Sequence, residues 1–158
     1  MKTKALAQSA LIGALYALFT FISLPISSGL IQLRVSEALC VLPYFTPYAV
    51  PGLFVGCIIA NIIAGGALYD VIFGSLATLL AAAFTRLMWR CGVSRYLAPL
   101  PAVIINALVV GEILVLVYGE AMPYWTCVLY VGVGQTLACF GLGLPLMAVL
   151  ERHKDKMF

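Results

Sequence analysis

Charge is the scarcest property of this chain. Of 158 residues only 9% are Asp, Glu, Lys or Arg, while 64% are hydrophobic and the mean hydropathy is +1.11. A soluble domain has about a quarter of its residues charged, so this chain has too little polar surface to be a soluble monomer. Histidine is almost missing. The one residue, His153, lies in a charged tail, which argues against a histidine-based metal or nucleophile site. The five cysteines, Cys40, Cys57, Cys91, Cys127 and Cys139, share no short metal-ligand or redox spacing. They read as small hydrophobes packed between helices. A Gly-x4-Gly-Lys-Ser/Thr loop is absent, as are a His-Glu-x2-His helix and a Gly-x-Ser-x-Gly elbow. ATP hydrolysis by a phosphate loop is therefore excluded, and an enzyme is not expected. Basic residues form no stripe with interleaved aromatics, so no nucleic-acid partner is expected. The lack of an obvious internal repeat argues against an inverted-repeat transporter.

What the chain has in abundance is apolar length, enough for about six spans of ~20 residues each. The expected fold is all-α and integral to the membrane, one transmembrane domain over residues 1–158. The spans fall near 5–24, 32–45, 51–64, 71–88, 100–118 and 125–150. No small-residue signal-peptidase site follows the first run, which reads as a retained span. Residues 25–31 break the chain with proline, serine and glycine, and Pro51 suits a first helical turn. The second segment is short for a span. Six alternating spans put Lys2, Lys4, Arg86, Arg90, Arg95, Arg152, Lys154 and Lys156 on one side and Arg34 alone on the other. That bias places both termini in the cytoplasm of a multi-pass cell-membrane protein.

Against this background the polar residues inside spans stand out, because embedded ionisable groups usually mark a site. Arg34 and Glu37 are three apart and would share a helix face, as a local ion pair or as ligand contacts. Asn61, Asn106 and Gln135 are amides within spans that need partners. Asp70 lies at an outer turn. Glu112 falls roughly two turns below the outer end of the fifth span, where it is protonated, paired with Arg34, or awaiting a cationic ligand. Tyr69, Tyr118, Tyr124 and Trp125 gather at the outer ends, as an aromatic belt or as walls of a pocket. The first span has a small-residue face, with Ala10 four before Ala14 and Gly13 four before Ala17. That spacing lets another helix approach closely in lipid.

The run Leu33-Arg-Val-Ser-Glu-Ala-Leu39, followed by Leu42-Pro43, by Pro51-Gly-Leu-Phe-Val-Gly56 and by Asn61, resembles the QueT branch of the substrate-binding (S) components of energy-coupling factor transporters. The resemblance covers nearly the whole chain. It implies a six-helix S-component bundle without cofactor, which captures a queuosine precursor from outside. Its partners would be a transmembrane T component, which Ala10 and Ala14 would face, and two ATPase subunits. An aminomethyl-deazaguanine suits the candidate residues Arg34, Glu37, Asn61, Tyr69, Asp70, Asn106, Glu112, Trp125 and Gln135. A carboxylate can accept both donors of a guanine-like edge, a second can meet the aminomethyl cation, and aromatic faces suit flat rings. Two other readings stand beside it: an S component for another small vitamin, and an accessory membrane subunit whose polar residues only stitch helices together.

Overall fold

The structure, a computed structural model, describes residues 2–27 and 33–157. The loop expected at 25–31 and the residue Gln32 therefore fall largely outside the described residues. Helix α1 is Lys2–Ser27 and carries Pro25 in its last turn. Element α2, Val35–Phe45, begins as a 3-10 helix over Val35–Val41 and ends in one α-turn, Leu42–Phe45. Helix α3 is Ala49–Ile63. Helix α4, Asp70–Arg90, opens with a π-turn over Asp70–Gly74. Helix α5 is Leu100–Leu116. Helix α6 runs through Tyr124–Thr136, a π-turn at Leu137–Leu142, and Gly143–Met157.

Among the described residues four segments are long and apolar enough to cross a membrane: Thr3–Ile26, Asp70–Arg90, Arg95–Leu116 and Tyr124–Arg152. The other two expected spans are shorter. At about 2.0 Å per residue for its 3-10 part and 1.5 Å for the rest, α2 would reach only about 20 Å, and α3 about 22 Å, against a hydrocarbon core of about 30 Å. Pro43 accounts for the tight winding where the 3-10 stretch ends. Without an N–H it cannot donate to the Leu39 carbonyl as an α-helix requires. The Leu42 N–H takes that carbonyl instead, an i→i+3 bond that winds the segment as 3-10 helix.

Short as it is, α2 lies at the centre. Ser36 through Pro43 are all buried, with α1, α4 and the π-turn of α6 packed around them. Leu39 and Leu42 join Ile12, Tyr16, Leu53 and Cys57 in one apolar cluster, and Cys40 and Val41 join Ala81, Ala102, Cys139 and Met147 in another. Helices α1 and α3 cross almost backbone to backbone. A Cβ on Gly56 would come within 2.7 Å of the Gly13 carbonyl oxygen, closer than any side chain tolerates. Thus Gly13 faces α3 inside the fold and Ala17 is half-buried there, while Ala10 and Ala14 remain exposed. The four-residue face expected for a partner is in fact split between two sides of α1.

Basic residues collect at one end. Arg86 lies over the Trp89 ring and donates to the carbonyls of Pro43 and Tyr44. Arg95, just before α5, pairs with Glu151 near the end of α6.

Candidate functional site

Helix α1 turns a row of polar side chains inward: Ser9, Tyr16, Thr20 and Ser23. Each finds an acceptor, as a polar group away from water must. Ser9 donates to the Tyr48 carbonyl, Thr20 to Ser36 Oγ at 2.7 Å, and Ser23 to the Phe19 carbonyl. The Tyr16 hydroxyl donates to Glu37 Oε1 at 2.6 Å. From α5, Asn106 Nδ2 donates to Glu37 Oε2 at 3.2 Å. These three side chains, only 1–3% exposed, tie α1, α2 and α5 to a single carboxylate. Hydrogen bonds to both oxygens are what make so buried a carboxylate tolerable. Beside it is a void of about 10 Å³, lined in part by Cys40, Thr78 and Asn106, and the buried Asn106 Oδ1 is without a protein partner.

A second set of contacts lies toward the end of the bundle away from the basic residues. Arg34 has an extended backbone just ahead of the 3-10 helix, and its Nη1 donates to Asn61 Oδ1 at 3.2 Å. Asn61 Nδ2 donates in turn to the Asp70 carbonyl at 2.9 Å. The Tyr118 hydroxyl donates to Asp70 Oδ2 and accepts from the Ala67 N–H. Burial, and then the bond to Asp70, push the Tyr118 phenol above its ordinary range. It therefore stays protonated, and able to donate, throughout the physiological pH range. The π-turn at the start of α4 carries Asp70; such turns recur at functional positions because they redirect side chains that a regular helix would aim elsewhere.

Arg34 and Glu37 stay together at the start of α2, the Glu37 N–H donating to the Arg34 carbonyl at 3.1 Å. The helix begins only at Val35; the Arg34 head reaches Asn61, and the Glu37 head is held by Tyr16 and Asn106. Gln135 joins from α6. It is buried and accepts from the Cys139 thiol, which also lies 3.6 Å from the Glu37 carbonyl oxygen.

Six of the expected residues thus gather around α2: Arg34, Glu37, Asn61, Asp70, Asn106 and Gln135. Three do not. Glu112 and Tyr69 line a separate groove on the outer side of α5, and Trp125 is exposed against Tyr124, its ring centroid 5.0 Å away. Helix α5 turns Asn106, Val110 and Ile113 inward, and that phase carries Glu112 outward. Sequence reading missed Tyr16 and Cys139 as members of this cluster, and named Tyr118 only among the outer aromatics. For Tyr16 a signal was available: Ser9, Tyr16, Thr20 and Ser23 recur at seven, four and three residues, one polar stripe on an otherwise apolar helix.

These groups offer hydrogen bonds and charge in a low-dielectric setting. They suit recognition of a polar, partly charged small molecule, and no nucleophile meets a base among them. A family model described as QueT transporter matches residues 6–152. No curated protein and no solved structure matches the chain.

Proposed function

Because the chain belongs to the QueT transporter family, a family of transporters and not of enzymes, we propose that it is the substrate-capture subunit of an energy-coupling factor importer for a queuosine precursor. It is a membrane protein with four helices able to span a bilayer. In this reading the two shorter apolar elements complete a six-element transmembrane domain in the cell membrane, with both termini cytoplasmic. The ligand is an aminomethyl-deazaguanine or a related base. It arrives from the side opposite the basic residues and meets Arg34, Asn61 and Asp70, with Glu37 and its two donors as the floor. Energy comes from a T component and two ATPase subunits, which fits the missing phosphate loop.

The observation that carries the reading is the convergence of an arginine, two carboxylates and three amides on one buried element of a transporter-family chain. Such groups are costly in a membrane unless they serve a site. Thermal-shift measurements on the purified chain test it. Aminomethyl-deazaguanine should raise the melting temperature, while guanine should raise it less, for want of the cation. A shift with a common vitamin and none with deazapurines would make the chain an S component for that vitamin. No shift with any ligand, together with full transport after Glu37→Gln, would leave an accessory subunit.

A further inference from the structure

Glu112 sits where a carboxylate is least expected. It falls on the α5 row Ile104, Leu108, Glu112, Leu116, whose three apolar members are all exposed. On a membrane-spanning helix that row faces lipid. A carboxylate on it is costly unless a cation meets it.

The surroundings say which cation. Around Glu112 opens a groove of about 800 Å³. The Tyr69 and Phe73 rings, stacked 5.9 Å apart, form one wall. Tyr124 forms another, its hydroxyl donating to the Leu108 carbonyl at 3.3 Å. At Leu108 this groove meets a second, of about 470 Å³, which continues between α5 and α6 and is almost wholly apolar. Gly132 lines that second groove, and a Cβ there would rest in ordinary contact with Ala107 at 3.7 Å, so a larger side chain would project into the groove. Below Glu112 the two grooves follow α5 down to Val103. At 1.5 Å per residue those nine steps are about 14 Å, close to one leaflet's share of a ~30 Å hydrocarbon core. A carboxylate and aromatic rings at the mouth, above one leaflet's length of apolar trough, match an amphiphile with a cationic head.

We propose that this face is a specific lipid site. One acyl chain lies in the trough between α5 and α6, and a primary ammonium headgroup donates to the Glu112 carboxylate. The lipid belongs to the leaflet at the end of the bundle opposite Arg86, Arg90 and Arg95. A primary ammonium is preferred to a trimethylammonium, which is bulkier and has no N–H to give. A small soluble aromatic amine would use only the mouth and leave the trough unexplained.

Native mass spectrometry of the purified chain offered equal amounts of phosphatidylethanolamine and phosphatidylcholine tests this. The wild type should retain one phosphatidylethanolamine with roughly two- to fivefold preference, the range expected of a partly exposed charge contact. Glu112→Gln should bind both lipids equally. Glu112→Lys, with phosphatidylglycerol added to the mixture in equal amount, should turn the preference toward that lipid, and Gly132→Leu should weaken retention of every headgroup. Melting curves in the same detergent should show all three variants folded. Equal retention of both lipids by the wild type would overturn the proposal, as would an undiminished preference in Glu112→Gln. So would displacement of the lipid by benzylammonium at concentrations where a long-chain amine is no better, which would assign the mouth to a soluble cation. None of these readouts depends on deazapurine binding, so this proposal and the transport reading can fail separately.

Discussion

Glu37 concentrates most of the site's chemistry in one side chain. Both of its oxygens are taken, by Tyr16 and Asn106, and each donor belongs to a different helix. Replacing it with glutamine keeps the shape but removes the charge and one acceptor. Glu37→Gln should fold yet lose about ten- to a hundredfold in affinity for aminomethyl-deazaguanine, the effect of one buried charge-assisted contact. Calorimetry checks this, and unchanged affinity would take Glu37 out of the site. Tyr16→Phe isolates the structural part. It leaves the carboxylate one donor short and should lower stability by about 1–3 kcal/mol, read as a lower melting temperature in detergent. Tyr118 offers a titration at the same scale. Its raised phenol rests on burial and on the Asp70 contact, so Asp70→Asn should bring the Tyr118 transition back toward the ordinary value. NMR of ring-labelled tyrosine would show this, and no movement would mean that burial alone sets it. The sign follows from the neutral phenol being the favoured form: the contact supports the fold below the ordinary tyrosine pKa and is lost as pH rises through the elevated one.

Among the elements, α1 is the one with two jobs. Its inner face packs on α3 through Gly13, Gly52 and Gly56, and its outer face presents Ala10 and Ala14. The two faces should respond differently to bulk. Gly56→Leu forces side-chain atoms into the α1 backbone and should destabilise by about 1–3 kcal/mol or more, the range for overpacking, with a lower melting temperature as the readout. Ala14→Trp lies in the open, so the isolated chain should melt as wild type and still bind ligand. If that face meets a T component, the variant should fail to co-purify with it, and normal co-purification together with normal transport would sink the docking idea. The short elements teach a different lesson. Three helix ends are marked by glycines in the left-handed region, Gly65, Gly92 and Gly119, and glycine punctuation made those boundaries readable within about two residues. The start of α2 was not readable in that way, because no glycine or proline marks Arg34 or Val35.

Taken whole, the molecule has a basic end and an opposite end where Arg34, Asp70 and Tyr118 meet. Cys91 provides a natural probe of orientation. It is exposed beside Arg90 at the basic end, while the other four cysteines are buried. If basic loops stay inside, a membrane-impermeant maleimide should leave intact cells unlabelled and should label Cys91 once the membrane is opened. Labelling of intact cells would reverse the topology. The sequence by itself determined the membrane environment, the helical class, the end at which the basic residues gather, and six residues of the central cluster. Each follows from composition, from apolar length, or from the rule that a polar group in lipid must have a purpose. Only the tertiary structure decided the rest. It gave the Arg34 and Glu37 side chains different hydrogen-bond partners, Asn61 for one and Tyr16 and Asn106 for the other. It added Tyr16 and set both Tyr16 and Asn106 on the Glu37 carboxylate, from 21 and 69 residues away in the chain. It sent Glu112 to the outer wall, because the angular phase of a helix relative to its neighbours is set by packing, and an apolar helix such as α5 carries almost no sequence signal of which side faces in.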